Sequence, residues 1–244
     1  MATLKTKTIQ PSTGTNVNLG TTGDAVLFNS DSIQTNIYKD SGGNTLFQSD
    51  GAGTLSNVNS SFTGGGPQLI LSQTASTSTN ISFTANLDGT YDLYLFVFID
   101  IHPADDSNWL GFNMSTDGGS SYAVTKTTTF FRAQNSEAGG GEGIAYQSGN
   151  DLAQSTAYQP ISADLGNDAD QVTNGYLYLY TPASTTFVKN FYSRFVCSHA
   201  SQYCNDMYAS GYGNTTSAVN AVDFKMNSGN IDSCLLYTSP SPRD

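Results

Sequence analysis

The chain has 244 residues and sets 9 Lys and Arg against 20 Asp and Glu, a formal net charge of −11. That balance argues against a nucleic-acid partner, whose affinity rests on Lys and Arg neutralising phosphates, and it favours solubility. Hydrophobic residues at 37% and aromatics at 11% supply a sizeable core and exclude wholesale disorder. Charged residues reach only 12%, about half the usual ~25%, and Glu137 and Glu142 are the only glutamates. Thr, Ser, Asn and Gly dominate instead, which favours strands and turns over helices. The longest apolar run, "LYLFVFI", is too short for a membrane span. "MATLKTKTIQPSTG" has no hydrophobic stretch of the signal-peptide kind, so neither membrane insertion nor classical secretion is expected. The sequons beginning at Asn59, Asn80, Asn113 and Asn214 follow from the composition and are not read as glycan sites.

Residues 1–63 hold few large side chains and many turn signals. "TIQPSTGTNVNLGTTGDAVLF" gives two short alternating runs split by Gly pairs, and "GGNTLFQSDG" and "GAGTLSNVNS" read as imperfect copies of one turn-strand unit. Strands this short bury little by themselves, so a stalk of three chains is expected, with a flexible arm as the bland alternative. "TGGGP" at 63–67 marks a boundary. Beyond it the predicted strands lengthen and become aromatic: "PQLILSQ", "TNISFTANL", "TYDLYLFVFIDI", "NWLGFNMST", "SYAVTKTTTFFRA", "EGIAYQS", "TAYQPISADL", "GYLYLYTP", "TFVKNFYSRFVCSHA", "MYASGYGN" and "AVNAVDFKM". Their length and spacing predict a β-sandwich or jelly roll over 64–233. "YDLYLFVFIDI" is apolar on both faces and belongs at the centre of a sheet. "STDGGSSY" reads as a hairpin loop. "YLYLY" sets Tyr176, Tyr178 and Tyr180 on one face and Leu177 and Leu179 on the other.

Catalytic constellations are weak. His102 and His199 are the only histidines, and no Gly-x-Ser-x-Gly elbow accompanies them. Glu137 and Glu142 fall in a Gly-rich loop unsuited to preorganising an acid. "CSHASQYC" puts Cys197, His199 and Cys204 within eight residues. A zinc site there lacks a fourth ligand, and Cys197 and Cys204 read either as two free thiols or as a disulfide. Asp105 and Asp106, and Asp164, Asp168 and Asp170, form oxygen-rich loops of the kind that suit Ca²⁺, without EF-hand spacing. No cofactor and no enzymatic activity are expected. Exposed aromatics carry more. Trp109 beside Asp105, Asp106 and Asn108, and Tyr203, Tyr208 and Tyr212 in "SQYCNDMYASGYGN", combine ring faces with short polar side chains, the mixture that grips a sugar. The structural alternative is that these rings pack with their hydroxyls outward.

"TKTIQPSTGTNVNLGTTGDAV" and "KDSGGNTLFQSDGAGTLSNVN" resemble the β-structured stalk segments of bacteriophage tail-fibre and related virion proteins. "AVDFKMNSGNIDS" resembles the end of their distal jelly-roll domain. The resemblance implies a trimeric, non-enzymatic virion protein, made in the cytoplasm of a host bacterium. Its N-terminal segment would contact other virion proteins, and its head loops would present themselves to a bacterial surface glycan or protein. Alternatives are a head-decoration or fibre-collar protein without a receptor, or a carbohydrate-binding module. The chain departs from the pattern at Cys234, where "CLLYTSPSPRD" stands in place of a Gly and a last apolar strand. That string resembles translated sequencing-adapter or vector sequence. Residues 234–244 are therefore expected to be a non-native tail that does not pair in the sandwich, since its prolines lack backbone donors.

Overall fold

The computed structural model describes residues 37–39, 42–49, 52, 55–56, 58 and 69–240. The run "TIQPSTGTNVNLGTTGDAVLF" and residues 241–244 lie outside them. The chain divides into two compact units, 1–64 and 65–244.

In the first unit three short strands, β1 (Ile37–Lys39), β2 (Thr45–Ser49) and β3 (Leu55–Ser56), pair antiparallel in that order. Tyr38 stacks on Phe47 at 4.3 Å across the first pair. Gly43, at φ +84°, turns β1 into β2.

The second unit contains only strands and loops among its described residues. Its strands are β4 (Leu71–Ser78), β5 (Ile81–Phe83), β6 (Leu93–Pro103), β7 (Leu110–Ser115), β8 (Lys126–Ser136), β9 (Gly143–Tyr146), β10 (Gln159–Pro160), β11 (Thr173–Tyr180), β12 (Lys189–Ser198), β13 (Tyr203–Gly213), β14 (Ala221–Met226) and β15 (Ile231–Pro240). An eight-stranded sheet runs β4-β15-β6-β11-β12-β13-β8-β9, and a four-stranded sheet runs β10-β7-β14-β5. The unit is an all-β sandwich. Period-2 burial drives its construction. In β12 residues alternate buried and exposed along "KNFYSRFVC", so its inner face meets the opposite sheet. β6 lies between β15 and β11, where a run apolar on both faces belongs.

The two sheets meet through aromatic rings. Phe224 of β14 touches Phe96 and Phe98 of β6 at 5.4 and 4.9 Å, and Phe83 and Phe112 within its own sheet at 6.3 Å each. Phe112 in turn meets Phe191 of β12 edge-on at 4.7 Å. These are offset or T-shaped contacts, the arrangements that ring quadrupoles prefer.

Two expectations are corrected. "STDGGSSY" supplies the positive φ of a tight reversal at Gly118 and Gly119, but it closes no hairpin. It joins β7 of the small sheet to β8 of the large one. The turn chemistry was legible, whereas the change of sheet depends on partners far away in sequence. The segment after Ser233 also behaves differently from the expectation that it stays unpaired. Through Pro240 it forms the distal part of β15, between β4 and β6 and hydrogen-bonded to both. Cys234, Leu236 and Thr238 are buried. Their period-2 spacing is that of a strand, and the slot between β4 and β6 offers unpaired donors and acceptors on both sides. The pairing with β6 is irregular on either side of Ser233, between Ile231 and Ser233 and again between Ser233 and Leu235.

Candidate functional site

The outer face of the large sheet carries a group of exposed rings. Cross-strand register places Val97, Tyr176, Arg194, Tyr208, Phe131 and Tyr146 in one row across β6, β11, β12, β13, β8 and β9. The adjacent row holds Leu95, Tyr178, Tyr192, Ser210 and Thr129. Tyr178 and Tyr192 are outward because their neighbours in sequence are inward: Leu177 and Leu179 flank Tyr178, and Phe191 and Ser193 flank Tyr192, all buried.

The rings form two groups. Tyr178 stacks on Tyr192 at 4.9 Å, with Tyr176 edge-on to Tyr178 at 5.4 Å and Tyr180 tilted against Tyr192 at 6.2 Å. Partial burial raises the phenol pKa values of Tyr178 and Tyr192 above the ordinary range, so both hydroxyls stay protonated donors. In the second group Phe131 lies flat on Tyr208 at 4.7 Å and 7°. Phe131 and Tyr192 keep 39% and 38% of their surface exposed.

Between the groups sits an anchored cation. Arg194 grips Asp206 with two hydrogen bonds, Nε to Oδ1 at 3.0 Å and Nη2 to Oδ2 at 2.8 Å. Its guanidinium lies 5.2 Å from the centre of the Tyr208 ring. The Tyr208 hydroxyl donates to Asp206 at 3.1 Å. The guanidinium bonds hold the Asp206 carboxyl below the usual carboxylate range, and Asp206 raises the Arg194 pKa in return. Asn174, Gly175, Tyr176, Arg194, Val196 and Asp206 surround a shallow depression of about 530 Å³. Gly175 lines it with bare backbone, and a Cβ there would point to the inner side of the sheet, against Arg194 O and the buried Phe195 ring. The depression thus offers an apolar wall from Tyr176 and Val196, and hydrogen-bonding groups from Asn174, Arg194 and Asp206.

The residues singled out from sequence are dispersed. Tyr208 and Tyr212 share the outer face of β13, a strand of the large sheet that takes in most of "SQYCNDMYASGYGN". Tyr203 begins that strand on the other parity, with its ring 5.6 Å from His199. Asp105 and Asp106 are exposed in the turn after β6. Asn108 is 1% exposed; its amide donates to Ser228 O at 2.7 Å and accepts from the Trp109 and Asn227 N–H groups at 2.8 and 3.0 Å. That engagement makes it a clamp between two loops, out of reach of a surface receptor. Trp109 lies over Gly111. Gly111 alternates with the inward Leu110 and Phe112, so the indole is on the outer side of the small sheet, across the sandwich from Tyr208. The two predicted contact segments do not form one site. Tyr192, Arg194, Phe131 and Tyr146 were missed. "NFYSRF" carried their signal in its strict alternation, but only the register reveals what stands beside them.

The remaining titratable groups have structural surroundings. Cys197 faces the core, and burial pushes its thiol up to about 12. Cys204 is exposed on the opposite face of the sheet, so the strand's own alternation keeps these two sulfurs apart and the disulfide alternative fails. His199 Nε2 is 3.5 Å from Asp164, which Arg132 also holds at 2.5 Å. His102 Nε2 is 3.2 Å from the Asp168 carbonyl. Among the described residues, no three His, Cys, Asp or Glu side chains gather as a metal-binding group.

The fold and this face define a class: an all-β sandwich protein with an exposed aromatic sheet surface built around a locked Arg–Asp pair. No family model, curated protein or solved structure matches the chain.

Proposed function

We propose that the chain is a non-enzymatic virion adhesin whose head binds a bacterial surface glycan on the aromatic outer face of its large sheet. The observation that carries this reading is the depression beside Tyr176, where a ring face adjoins the anchored Arg194–Asp206 pair and Asn174. Sugars are held by that combination: C–H faces on an aromatic ring, and hydroxyls on fixed donors and acceptors. The tail-fibre resemblance of the stalk-like segments supports the virion setting. Strand order supports it too. We infer a jelly-roll core from it: chain order alternates between the sheets over β4 to β7, and β4-β15-β6-β11 stand against β5-β14-β7-β10. We infer that β8-β9 and β12-β13 are additions that widen one of its sheets. Jelly rolls serve both capsids and lectins, although fold alone never assigns function.

One ring-sugar stack contributes on the order of 1 kcal/mol, so a single head binds weakly. A homotrimer assembled through residues 1–63 multiplies that affinity by effective concentration. Binding to arrayed bacterial polysaccharides tests the reading. Tyr176→Ala and Arg194→Ala are expected to reduce binding about fivefold per site with melting unchanged, while Trp109→Ala leaves binding intact. Normal binding by both folded face variants overturns the site, and absence of any glycan binding favours a decoration or collar protein. Light scattering is expected to give a trimer for the full chain and a smaller species for a chain starting at Gly65. A full-length monomer at micromolar concentration removes the avidity argument.

A further inference from the structure

Lys189 and Lys126 flank Gly213 in one row across β12, β13 and β8, and both are 0% exposed. Burying an ammonium without an anion is costly, yet among the described residues no carboxylate forms an ion pair with either. Their surroundings differ. Lys189 Nζ donates to three backbone carbonyls, Ser184 at 2.6 Å, Phe187 at 2.7 Å and Thr215 at 3.4 Å. Lys126 Nζ donates to the Val124 carbonyl at 2.8 Å and to the side-chain carboxamide oxygen of Asn113 at 2.5 Å. Lys126 Nζ is therefore hydrogen-bonded to the oxygen of a side-chain carbonyl, one bond from an electrophilic carbon, whereas the partners of Lys189 are all backbone carbonyls.

We propose that Lys126 and Asn113 join through an intramolecular amide bond between Nζ and the side-chain carbonyl carbon. The amine and the carboxamide are held together in a buried site, which removes the entropic cost of their encounter and keeps hydrolytic water away. Burial lowers the Lys126 pKa to about 7, so a large share of the amine is uncharged and nucleophilic at neutral pH. Attack of Nζ on the carbon moves charge onto Oδ1, which already accepts the Met114 N–H at 2.9 Å. The departing Nδ2 is fixed by donation to the Tyr122 and Thr156 carbonyls at 2.6 and 2.9 Å, which sets the carboxamide with its oxygen toward the lysine. The C–Nδ2 bond breaks, and Nδ2 leaves as ammonia with the proton that Nζ sheds. Amine plus carboxamide become a secondary amide plus ammonia, with no oxidant or co-reactant. The product staples β7 of the small sheet to β8 of the large one, next to the crossover that joins them. This inference stands apart from the glycan reading.

A tryptic digest of the folded, purified full-length chain, denatured before cleavage, decides the matter. The sequence has no Lys or Arg between Lys39 and Lys126, and the next site is Arg132. Unlinked protein yields a peptide ending at Lys126. Linked protein is expected to lose nearly all cleavage after Lys126 and to yield the span 40–132 lighter by one ammonia, about 17 Da. Lys126→Met should yield that same span at full mass. Complete cleavage after Lys126 in wild-type protein aged for days overturns the proposal. So does an ammonia loss that persists in Lys126→Met, because it marks a succinimide at an asparagine.

Discussion

A chain stopped after Ser233 is expected to lose the cooperative fold of its head. β4 lies at the edge of the large sheet and pairs within it only with β15, so removing residues 234–240 strips most of its ladder. β6, otherwise a central strand, becomes an exposed edge, and edges of that length and apolarity attract other chains. Buried Leu236 and Cys234 leave the core. One Leu-to-Ala change costs about 2–5 kcal/mol, and the whole stability of a domain is about 5–15 kcal/mol. Loss of two residues and two half-ladders takes most of that. The measurement is soluble yield together with near-UV circular dichroism of the two chains, and hydrogen exchange over 234–238 in the longer one. Equal melting temperatures, or rapid exchange across that stretch, would show that the segment is a passenger in the sheet.

Phe224→Ala is expected to be the most damaging single truncation in the core. The ring is buried and meets four other phenylalanines, two from each sheet. No other described ring touches as many partners. Its removal leaves a cavity where the two sheets interdigitate, and neither can move in to fill it without dragging a ladder of hydrogen bonds. The expected cost is about 3–5 kcal/mol, or about 6–20 °C in melting temperature for a unit of this size. Tyr192→Ala, on the outer face, should cost less than about 1 kcal/mol. Urea titrations of the two variants provide the comparison. A Phe224→Ala protein as stable as Tyr192→Ala would mean that the sheets close over the gap.

Much of the architecture could be read from alternation alone. Each of the eleven runs beyond "TGGGP" overlaps a strand, because period-2 burial writes itself into "YLYLY" and "NFYSRFVC" without help from distant partners. What the alternation could not convey was pairing. Tyr178 and Tyr192 are fourteen positions apart, and nothing local says that they stack. Lys126 follows "YAVT" and precedes "TTT", an ordinary context for a surface lysine. Its burial follows from segments 152–155 and 113–124 closing over it. "HPADDSNW" had the composition of a binding loop, yet Asn108 spends its amide on the backbone of residues 227 and 228. A polar side chain that organises a loop and one that meets a ligand have the same letters. The distal half of β15 was misjudged for the converse reason. Its ending in "SPSPRD" drew attention to the prolines, while Cys234, Leu236 and Thr238 carried the strand period.

The position of β15 also bears on how the head is made. Its two partners, β4 and β6, leave the ribosome well over a hundred residues before it does, and neither has the other as a neighbour in the finished sheet. Until β15 emerges from the exit tunnel, the nascent chain holds a gap one strand in from the edge of its largest sheet, between β4 and β6. Vectorial synthesis therefore cannot complete this sandwich piece by piece. Closure must await the emergence of β15, and the long loop to be closed makes that step slow. During that interval many copies translated on one messenger expose the same open slot to one another. A strand supplied by a neighbouring copy would fill it as well as the chain's own, which makes exchange of β15 between subunits the characteristic hazard of this topology, and hold-back by chaperones until β15 has emerged its natural remedy.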